Sequence, residues 1–535
     1  MRNAAVSKPA AFLMHRHHGN GESSPMKLSE LQDIRLEKAR ALRDQGVNPW
    51  PNRAQRTHTN AEALTRFETA QAADDLPDDQ TLVGRISSLR HMGKTLFAHI
   101  EDGHGRIQLY IRKDAVGEDI YADILKVYDL GDFVQATGSL FRTRTGEVSL
   151  RVTGITMLSK AINAPPEKWH GLQDVEIRYR QRYLDLLSNE EVRRIFRVRS
   201  RIITAIRAFL DERDYLEVET PTLQPLYGGA AARPFVTHHH ALDQEFYLRI
   251  ADELYLKRLL VGGYERVYEI CKDFRNEGID RNHSPEFTML EFYEAYSDYE
   301  SMMDTVEALI VAVTTAVHGG PRFNFQNQEI DVIPPWPRKT LRDAIRETTG
   351  IDYADHPEQT GLLRVAREAG ADIEEGTVWP RIVDELLKQF VRPTLIQPTF
   401  LIDYPVELSP LAKRKADDPT HVERFQPIVG RVIELGNAFT ELNDPMDQLA
   451  RFEDQQKDRD AGDVEAMPID LDYVTALMYG MPPTGGVGIG IDRLVMLLAD
   501  QPTLRDVILF PAMRRLPIEN AQNSVESTSE ESPEP

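Results

Sequence analysis

The chain has one cysteine, Cys271, in 535 residues. That excludes a disulfide scaffold and any zinc site built on paired cysteines. Long apolar runs are missing as well. None approaches the roughly 20 residues of a membrane span, so a soluble protein with no membrane partner is expected. Residues 1–25 include His15-Arg16-His17-His18 but no apolar core followed by small residues, so they do not read as a secretion signal. They are expected to be a disordered extension of a cytoplasmic protein. Basic charge is also scarce, with 63 Lys and Arg against 85 Asp and Glu and a formal net charge of −22. A chain this acidic should repel nucleic acid, DNA included. No internal repeat is visible. What is present is apolar content of 41%, over a length that accommodates several domains with real cores.

The charge is unevenly spread. Residues 81–160 hold eleven Lys and Arg and nine Asp and Glu, a local +2, while residues 517–535 hold five glutamates and no basic or aromatic residue. The latter composition predicts a disordered acidic tail. Within the basic stretch, short β-type runs are separated by turn signals: Leu96 to Ile100, Arg106 to Arg112, Phe133 to Arg142 and Glu147 to Thr153. With one helical stretch near Tyr121 to Tyr128, they suit a small closed barrel of the OB-fold kind. Alternation puts Ile107, Leu109 and Ile111 on one face and Arg106, Gln108, Tyr110 and Arg112 on the other. Likewise Leu96, Ala98 and Ile100 oppose Phe97. An aromatic ring on a polar face beside arginines and an amide can stack on and read unpaired bases.

Along the chain, residues 26–80 read as an N-terminal helical segment whose first helix runs from Leu28 to Gln45. Residues 81–160 form the barrel and 161–193 a linker opened by Pro165-Pro166 and containing Arg178-Tyr179-Arg180-Gln181-Arg182. Residues 194–516 form a large body, with about 318–397 a helical insertion. In the body, Ile202, Ile203, Ile206, Phe209 and Leu210 follow helical spacing and lead into an alternating strand, Tyr215 to Pro221. A second segment, Ile270 to Tyr296, contains Phe274-Arg275-Asn276-Glu277, a loop with Arg281 and His283, and Phe287-Thr288-Met289-Leu290-Glu291-Phe292-Tyr293. A third is Gly486-Val487-Gly488-Ile489-Gly490-Ile491-Asp492-Arg493 before the apolar run Leu494 to Ala499.

These three segments, in this order, resemble the three signature motifs of class II aminoacyl-tRNA synthetases, and specifically the bacterial type of class II lysine–tRNA ligase. The resemblance covers about Met26 to Arg514 and includes the strings His170-Gly171-Leu172-Gln173-Asp174, Gly228-Gly229, Ala251-Asp252-Glu253-Leu254-Tyr255 and Glu441-Leu442-Asn443-Asp444. It implies an α+β multidomain protein, an N-terminal OB-fold β-barrel that binds the anticodon plus a catalytic domain with an antiparallel sheet flanked by helices. The glycine run is not a dinucleotide-binding turn, because Arg493 stands where that fingerprint needs its third glycine. The class I signatures, His-Ile-Gly-His and Lys-Met-Ser-Lys-Ser, are absent.

The implied reaction joins a carboxylate to the α-phosphorus of ATP, so the catalyst must neutralise and align charge and need not supply a strong base. By resemblance Arg275 clamps the α-phosphate, Glu277 meets the adenine amino group, His283 the outer phosphates, and Arg493 the γ-phosphate and one adenine face. Phe287 covers the other face. Alternation groups Phe287, Met289, Glu291 and Tyr293, and likewise Asn437, Phe439 and Glu441. With Glu253 the pocket holds three carboxylates, a phenol and an amide, with no compensating Lys or Arg expected, a composition that favours a doubly cationic ligand. The family assigns the lysine ε-ammonium to Glu441 and Tyr293 and the α-ammonium to Glu253, with Glu291 and Asn437 lining the site. On the barrel, Arg90, Phe97, Gln108 and Glu147 match positions that read the lysine anticodon.

One departure stands out. The family holds Mg²⁺ with two glutamates; Glu434 matches the second, but Gln426 occupies the place of the first. An amide oxygen can bind a hard cation without contributing charge, so one tight ion on Glu434 and weaker secondary ones are expected. The implied substrates are L-lysine, ATP and tRNA(Lys), and a homodimer is expected through a helix–strand interface on the apolar face of the first motif. Two rival readings are a lysine ligase acting on a protein, against which the barrel argues, and a catalytically dead RNA-binding scaffold, against which Arg275, Glu277, Glu434 and Arg493 argue.

Overall fold

A computed structural model of the chain describes residues 28–72, 79–166, 172, 174–431, 433–460 and 466–515. The expected extension at 1–25 and tail at 517–535 lie outside the described residues, as do His170, Gly171 and Gln173. The chain divides into two compact units between Gly171 and Leu172.

The first unit opens with α1 (Glu30–Asp44). A capping box starts it: Ser29 Oγ accepts from the Gln32 amide at 3.3 Å, and Gln32 Oε1 accepts from the Ser29 amide at 2.8 Å. After α2 (Asn60–Ala72) come β1 (Gln80–Met92), β2 (Thr95–Glu101), β3 (Arg106–Arg112), α3 (Lys113–Val116), α4 (Glu118–Val127), β4 (Phe133–Arg142) and β5 (Val148–Ser159). The strands close into a barrel in the order β1-β2-β3-β5-β4. The expected alternation is present, with Leu96, Ala98, Ile100, Ile107, Leu109 and Ile111 all 3% exposed or less. Ala63 and Phe67 of α2 join the same core. Strand β1 has no counterpart among the expected runs. A register shift between Ile86 and Ser88 interrupts its pairing with β2 and the period-2 pattern with it.

The second unit begins with α5 (Val175–Arg180) and α6 (Arg182–Ser188), inside the stretch expected to be linker. Its basic cluster is packed rather than solvated. Arg182 is buried and donates to Asp185 at 2.7 Å and to the carbonyls of Arg505 and Leu509, while Tyr179 donates to Asp506 at 2.8 Å. Next come α7 (Glu190–Asp211), β6 (Leu216–Glu217), β7 (Leu223–Gln224), β8 (Val236–His239), β9 (Gln244–Leu248), α8 (Glu253–Val261), β10 (Arg266–Phe274), β11 (Glu286–Ala295) and α9 (Tyr299–His318). Residues 322–394 carry the hairpin β12 (Arg322–Phe325) and β13 (Gln328–Asp331), then β14 (Arg338–Thr340), α10 (Leu341–Thr349), α11 (Gln359–Glu368) and α12 (Trp379–Leu386). The chain ends through β15 (Thr399–Pro405), β16 (His421–Val429), β17 (Ile433–Glu434), β18 (Gly436–Thr440), α13 (Pro445–Asp460), α14 (Leu471–Met478), β19 (Thr484–Gly490), α15 (Ile491–Leu498) and α16 (Leu504–Val507).

A nine-stranded sheet organises this unit, ordered β14-β15-β16-β18-β19-β11-β10-β6, with β17 paired to β16. The inner strands are antiparallel, as expected; the two edge pairs, β14 with β15 and β10 with β6, are parallel. The strand expected from Tyr215 to Pro221 pairs over only Leu216 and Glu217, because only Val267 and Tyr268 of β10 face it. The apolar face of α7 also departs from expectation. Ile202, Ile206, Phe209 and Leu210 pack into the unit's own core with α9 and the sheet, so that face is spent within the chain. Just after α7, Leu216 and Leu223 are among the apolar side chains left outside, 45% and 49% exposed. Among the described residues no helix is long and apolar enough to cross a membrane.

Candidate functional site

The three motif segments are tied at one point. Asp492, at the start of α15, accepts from the Thr288 amide on β11 at 2.8 Å and from Arg199 on α7, whose other terminal nitrogen donates to Thr288 Oγ1 at 2.9 Å. This triad sits beside a cavity of about 420 Å³ in the second unit. The cavity is lined by Glu253, Arg275, Glu277, His283, Phe287, Glu291, Tyr293, Glu434, Asn437, Glu441 and Arg493, all expected in the activation site, whereas Gln426 is buried behind Glu434 and does not line it.

Its closed end is acidic and almost sealed. Glu253, Glu291, Tyr293 and Glu441 are all buried. The glycine run makes room for them. A Cβ on Gly486 would run into Glu441 Oε1 and the Tyr293 ring, and one on Gly488 would press on Met289 and Glu291 Oε1 at 3.2 and 3.3 Å. Tyr293 donates its hydroxyl to Glu291 Oε2 at 2.6 Å. Burial first, then the charges of Asp252 and Glu253, push the Glu291 carboxyl well above the usual range, which favours its neutral form. The expected absence of basic residues is overturned. Lys257, one helical turn after Glu253 on α8, is completely buried and pairs its Nζ with Glu253 Oε1 and Glu441 Oε2. Arg424 is a second, donating from Nε to Asn437 Oδ1 at 2.7 Å. Glu441 Oε1 nevertheless has no polar partner among the described residues.

The open end is cationic. Strand β10 stops at Phe274, because Glu277 turns its amide back to the Arg275 carbonyl at 2.9 Å; Arg275 and Glu277 therefore stand in a loop. The Arg275 guanidinium lies 5.0 Å from the Phe287 ring centroid. His283, exposed, is oriented by Asp280 at 2.8 Å. Arg493, in the first turn of α15, donates to the Glu434 carbonyl at 3.0 Å. The Glu434 side chain accepts from Arg392 at 2.6 Å and from Gln426 Nε2 at 3.1 Å, and Gln426 Oε1 accepts from Tyr404 at 2.8 Å. One carboxylate and one amide among arginines do not make an all-protein Mg²⁺ cage. They do fit an ion held mainly by the phosphates of a nucleotide, with Glu434 its single charged protein ligand. Lys257, Arg424 and Arg392 were not among the expected site residues. Only Lys257 carried a local signal, its i+4 spacing from Glu253.

Behind this cavity Asp252, Glu269 and Cys271, all buried, bring potential ligand atoms within 4.8 Å of one another. Glu269 already accepts from Arg249 at 2.7 Å and from Thr220.

On the barrel, Arg90 pairs across strands with Phe97, and Phe97 with Tyr110. The Phe97 and Tyr110 rings are 5.3 Å apart, as are those of Tyr110 and Phe141, which makes a three-ring strip; alternation placed Phe97 and Tyr110 on outward faces but did not join them to Phe141. Gln108 and Glu147 line a second cavity. Glu147 accepts from Gln108 Nε2 at 2.8 Å and bonds His99 Nε2 at 2.9 Å; Gln108 Oε1 accepts from Ser149 at 2.8 Å, and His99 Nδ1 meets Ser88 Oγ at 2.7 Å.

Comparison with known proteins points the same way as the geometry. Residues 174–514 match the family described as tRNA synthetases class II (D, K and N), and residues 80–158 match the OB-fold nucleic acid binding domain. A lysine–tRNA ligase of Roseiflexus castenholzii is 55% identical over 490 residues, 91% of this chain and 99% of that protein. That of Chloroflexus aurantiacus is 53% identical over the same shares, and that of Pelotomaculum thermopropionicum 51% identical over 91% of this chain and 95% of its own length.

Proposed function

The chain belongs to the lysine–tRNA ligases, class II synthetases with an OB-fold nucleic-acid-binding domain, and from that premise we propose which residues perform its two half-reactions. The enzyme activates lysine with ATP and charges tRNA. The observation that carries the assignment is the opposed charge of one cavity: a buried carboxylate oxygen without a partner at one end, arginines at the other. Lysine enters with its ε-ammonium toward Glu441 and the Tyr293 hydroxyl and its α-ammonium toward Glu253, while Glu291 and Asn437 line the pocket. Its carboxylate then faces the open end.

There a lysine carboxylate oxygen attacks the α-phosphorus of ATP; the bond to the β-phosphate oxygen breaks and pyrophosphate leaves. Arg275 takes the charge that builds on the α-phosphate, since a guanidinium fork matches phosphate oxygens. His283 and Arg493 hold the outer phosphates, Glu277 accepts from the adenine amino group, and Phe287 and Arg493 sandwich the base. Mg²⁺ arriving with ATP would neutralise phosphate charge beside Glu434, whose carboxylate Gln426 holds from behind through its Nε2. In transfer, the 3′-hydroxyl of the tRNA's terminal adenosine attacks the lysyl carbonyl and AMP departs. Arg90, Phe97, Gln108 and Glu147 read the anticodon. The enzyme is a cytoplasmic homodimer in this reading, with Leu216 and Leu223 offering apolar surface to a second copy.

Lysine-dependent ATP–pyrophosphate exchange, followed by tRNA charging, tests the assignment. Exchange should require lysine among the twenty amino acids; equal support by an amino acid with a neutral side chain would overturn it.

A further inference from the structure

Lys257 adds an ammonium group to a pocket that already has an ammonium ligand to bind. It projects from α8 at the turn after Glu253, is completely buried, and meets groups from three other elements. Its Nζ contacts Glu441 Oε2, just beyond β18, and lies 5.5 Å from the Phe439 ring centroid on β18 and 6.0 Å from that of Tyr293 on β11. Tyr473 of α14, whose hydroxyl has no hydrogen-bond partner among the described residues, also faces it. We propose that Lys257 is a positioning residue that sets lysine specificity: a resident cation that holds one oxygen each of Glu253 and Glu441 and thereby presents the free Glu441 Oε1 to the ammonium of the incoming side chain. The inference rests on the lysine-binding role given above to Glu253 and Glu441.

The charge balance supports it. Three buried carboxyl groups cannot all ionise in so small a volume. Glu291, whose carboxyl burial pushes up, is engaged with Tyr293. Burial pushes the Glu253 and Glu441 carboxyls up as well, Glu441 to about 8, and Lys257 is the largest influence that offsets part of this rise in each. Burial would pull the Lys257 ammonium down, but the Glu253 and Glu441 charges outweigh that and hold it protonated. The other groups that reach this set are Arg424, which favours ionised Glu253, Arg258, which lies 5.4 Å from the Tyr473 ring, and the buried Asp252 and Asp273, which act on Glu291. Lys257 therefore favours the ionised form of both glutamates, and an ionised Glu441 keeps its free Oε1 as a charged acceptor for a side-chain ammonium. Without it, the two glutamates share a proton at neutral pH. A protonated Glu441 can hydrogen-bond a neutral side chain almost as readily as a charged one.

The test is lysine-dependent ATP–pyrophosphate exchange with the full-length wild-type enzyme, Lys257→Met and Lys257→Arg between about pH 7 and pH 9. A site only a tenth ionised binds about tenfold more weakly, so Lys257→Met should raise the lysine KM at neutral pH by about tenfold or more. The ATP KM should stay within about twofold, and the lysine defect should shrink as pH rises, because the glutamates then ionise unaided. Inhibition by norleucine should strengthen relative to lysine, and Lys257→Arg, which keeps the charge, should recover most of the loss. A lysine KM unchanged in Lys257→Met overturns the proposal, as does a defect that is independent of pH and matched in ATP KM. Should Lys257→Met not fold, Glu253→Gln is compared with Glu253→Gln/Lys257→Met, which leaves fewer unpaired charges. A further pH-dependent rise in lysine KM in the double variant supports the role, and identical behaviour overturns it. Wild-type exchange that ignores lysine would instead sink the underlying site reading.

Discussion

On the barrel, Gln108 and Glu147 stand at the surface with their polar atoms already hydrogen-bonded to each other, to His99 and to Ser149. In the cavity of the body, Glu441 is fully buried and one of its oxygens has no polar partner. The two surfaces face different ligands. A base in water can be met by a pre-ordered exposed face, because stacking on Phe97 and neutral hydrogen bonds lose little when no ligand is present. A buried carboxylate oxygen without a partner costs free energy in the empty enzyme, and a cation that satisfies it recovers that cost. The cavity should therefore discriminate sharply and the barrel in smaller increments.

The most severe attack on this contrast is Glu441→Gln. It removes the charge an ammonium would meet in a water-poor site, where breaking such a pair costs roughly 3–5 kcal/mol. Lysine-dependent exchange should fall by about two to four orders of magnitude in kcat/KM for lysine, with the ATP KM little changed. A loss under tenfold would mean that the pocket does not depend on a charged floor.

How much of this could be read from the residues follows the same division. Barrel strands β2 and β3 alternate cleanly, so their inward and outward faces are legible one residue at a time. The three-ring strip is not, since Phe141 reaches Tyr110 only through the sheet's lateral order, which local alternation does not encode. In the body, the motif residues line one cavity as expected, because each sits on a segment whose local pattern places it. The counter-charges were missed because they lie far off in sequence: Lys257 meets Glu441, and Arg392 meets Glu434, only once the sheet has assembled. The short β6 has a similar cause. Tyr215 to Pro221 has strand-like alternation, but ladder length depends on what the neighbour β10 can pair.

Phe97→Ala tests the barrel's side of the contrast. Stacking contributes about 1–3 kcal/mol per base, so kcat/KM for tRNA should drop about 10- to 100-fold, while exchange without tRNA stays within about twofold of wild type. Equal losses in both assays would end the division of labour between the units. Gln426→Glu probes the cavity's open end from the opposite direction, by adding charge. A second carboxylate beside Glu434 should lower the Mg²⁺ concentration for half-maximal exchange by about tenfold, since charged ligands bind a hard cation well beyond neutral ones. An unchanged Mg²⁺ dependence would show that Gln426 takes no part in holding the ion.

The smallest expected effect sharpens the comparison most. His99→Leu leaves Phe97, Gln108 and Glu147 in place and removes only the imidazole that joins Ser88 to Glu147. If the barrel reads bases with a face ordered by its own hydrogen bonds, losing one of them should cost about 1 kcal/mol at most, because water can replace it at the surface. Charging should then weaken by about threefold through the tRNA KM, with kcat and exchange unchanged. An effect as large as that of Phe97→Ala would mean that Glu147 must be held as rigidly as Glu441. The barrel would then discriminate by the same means as the cavity, a fixed carboxylate whose second partner is the ligand.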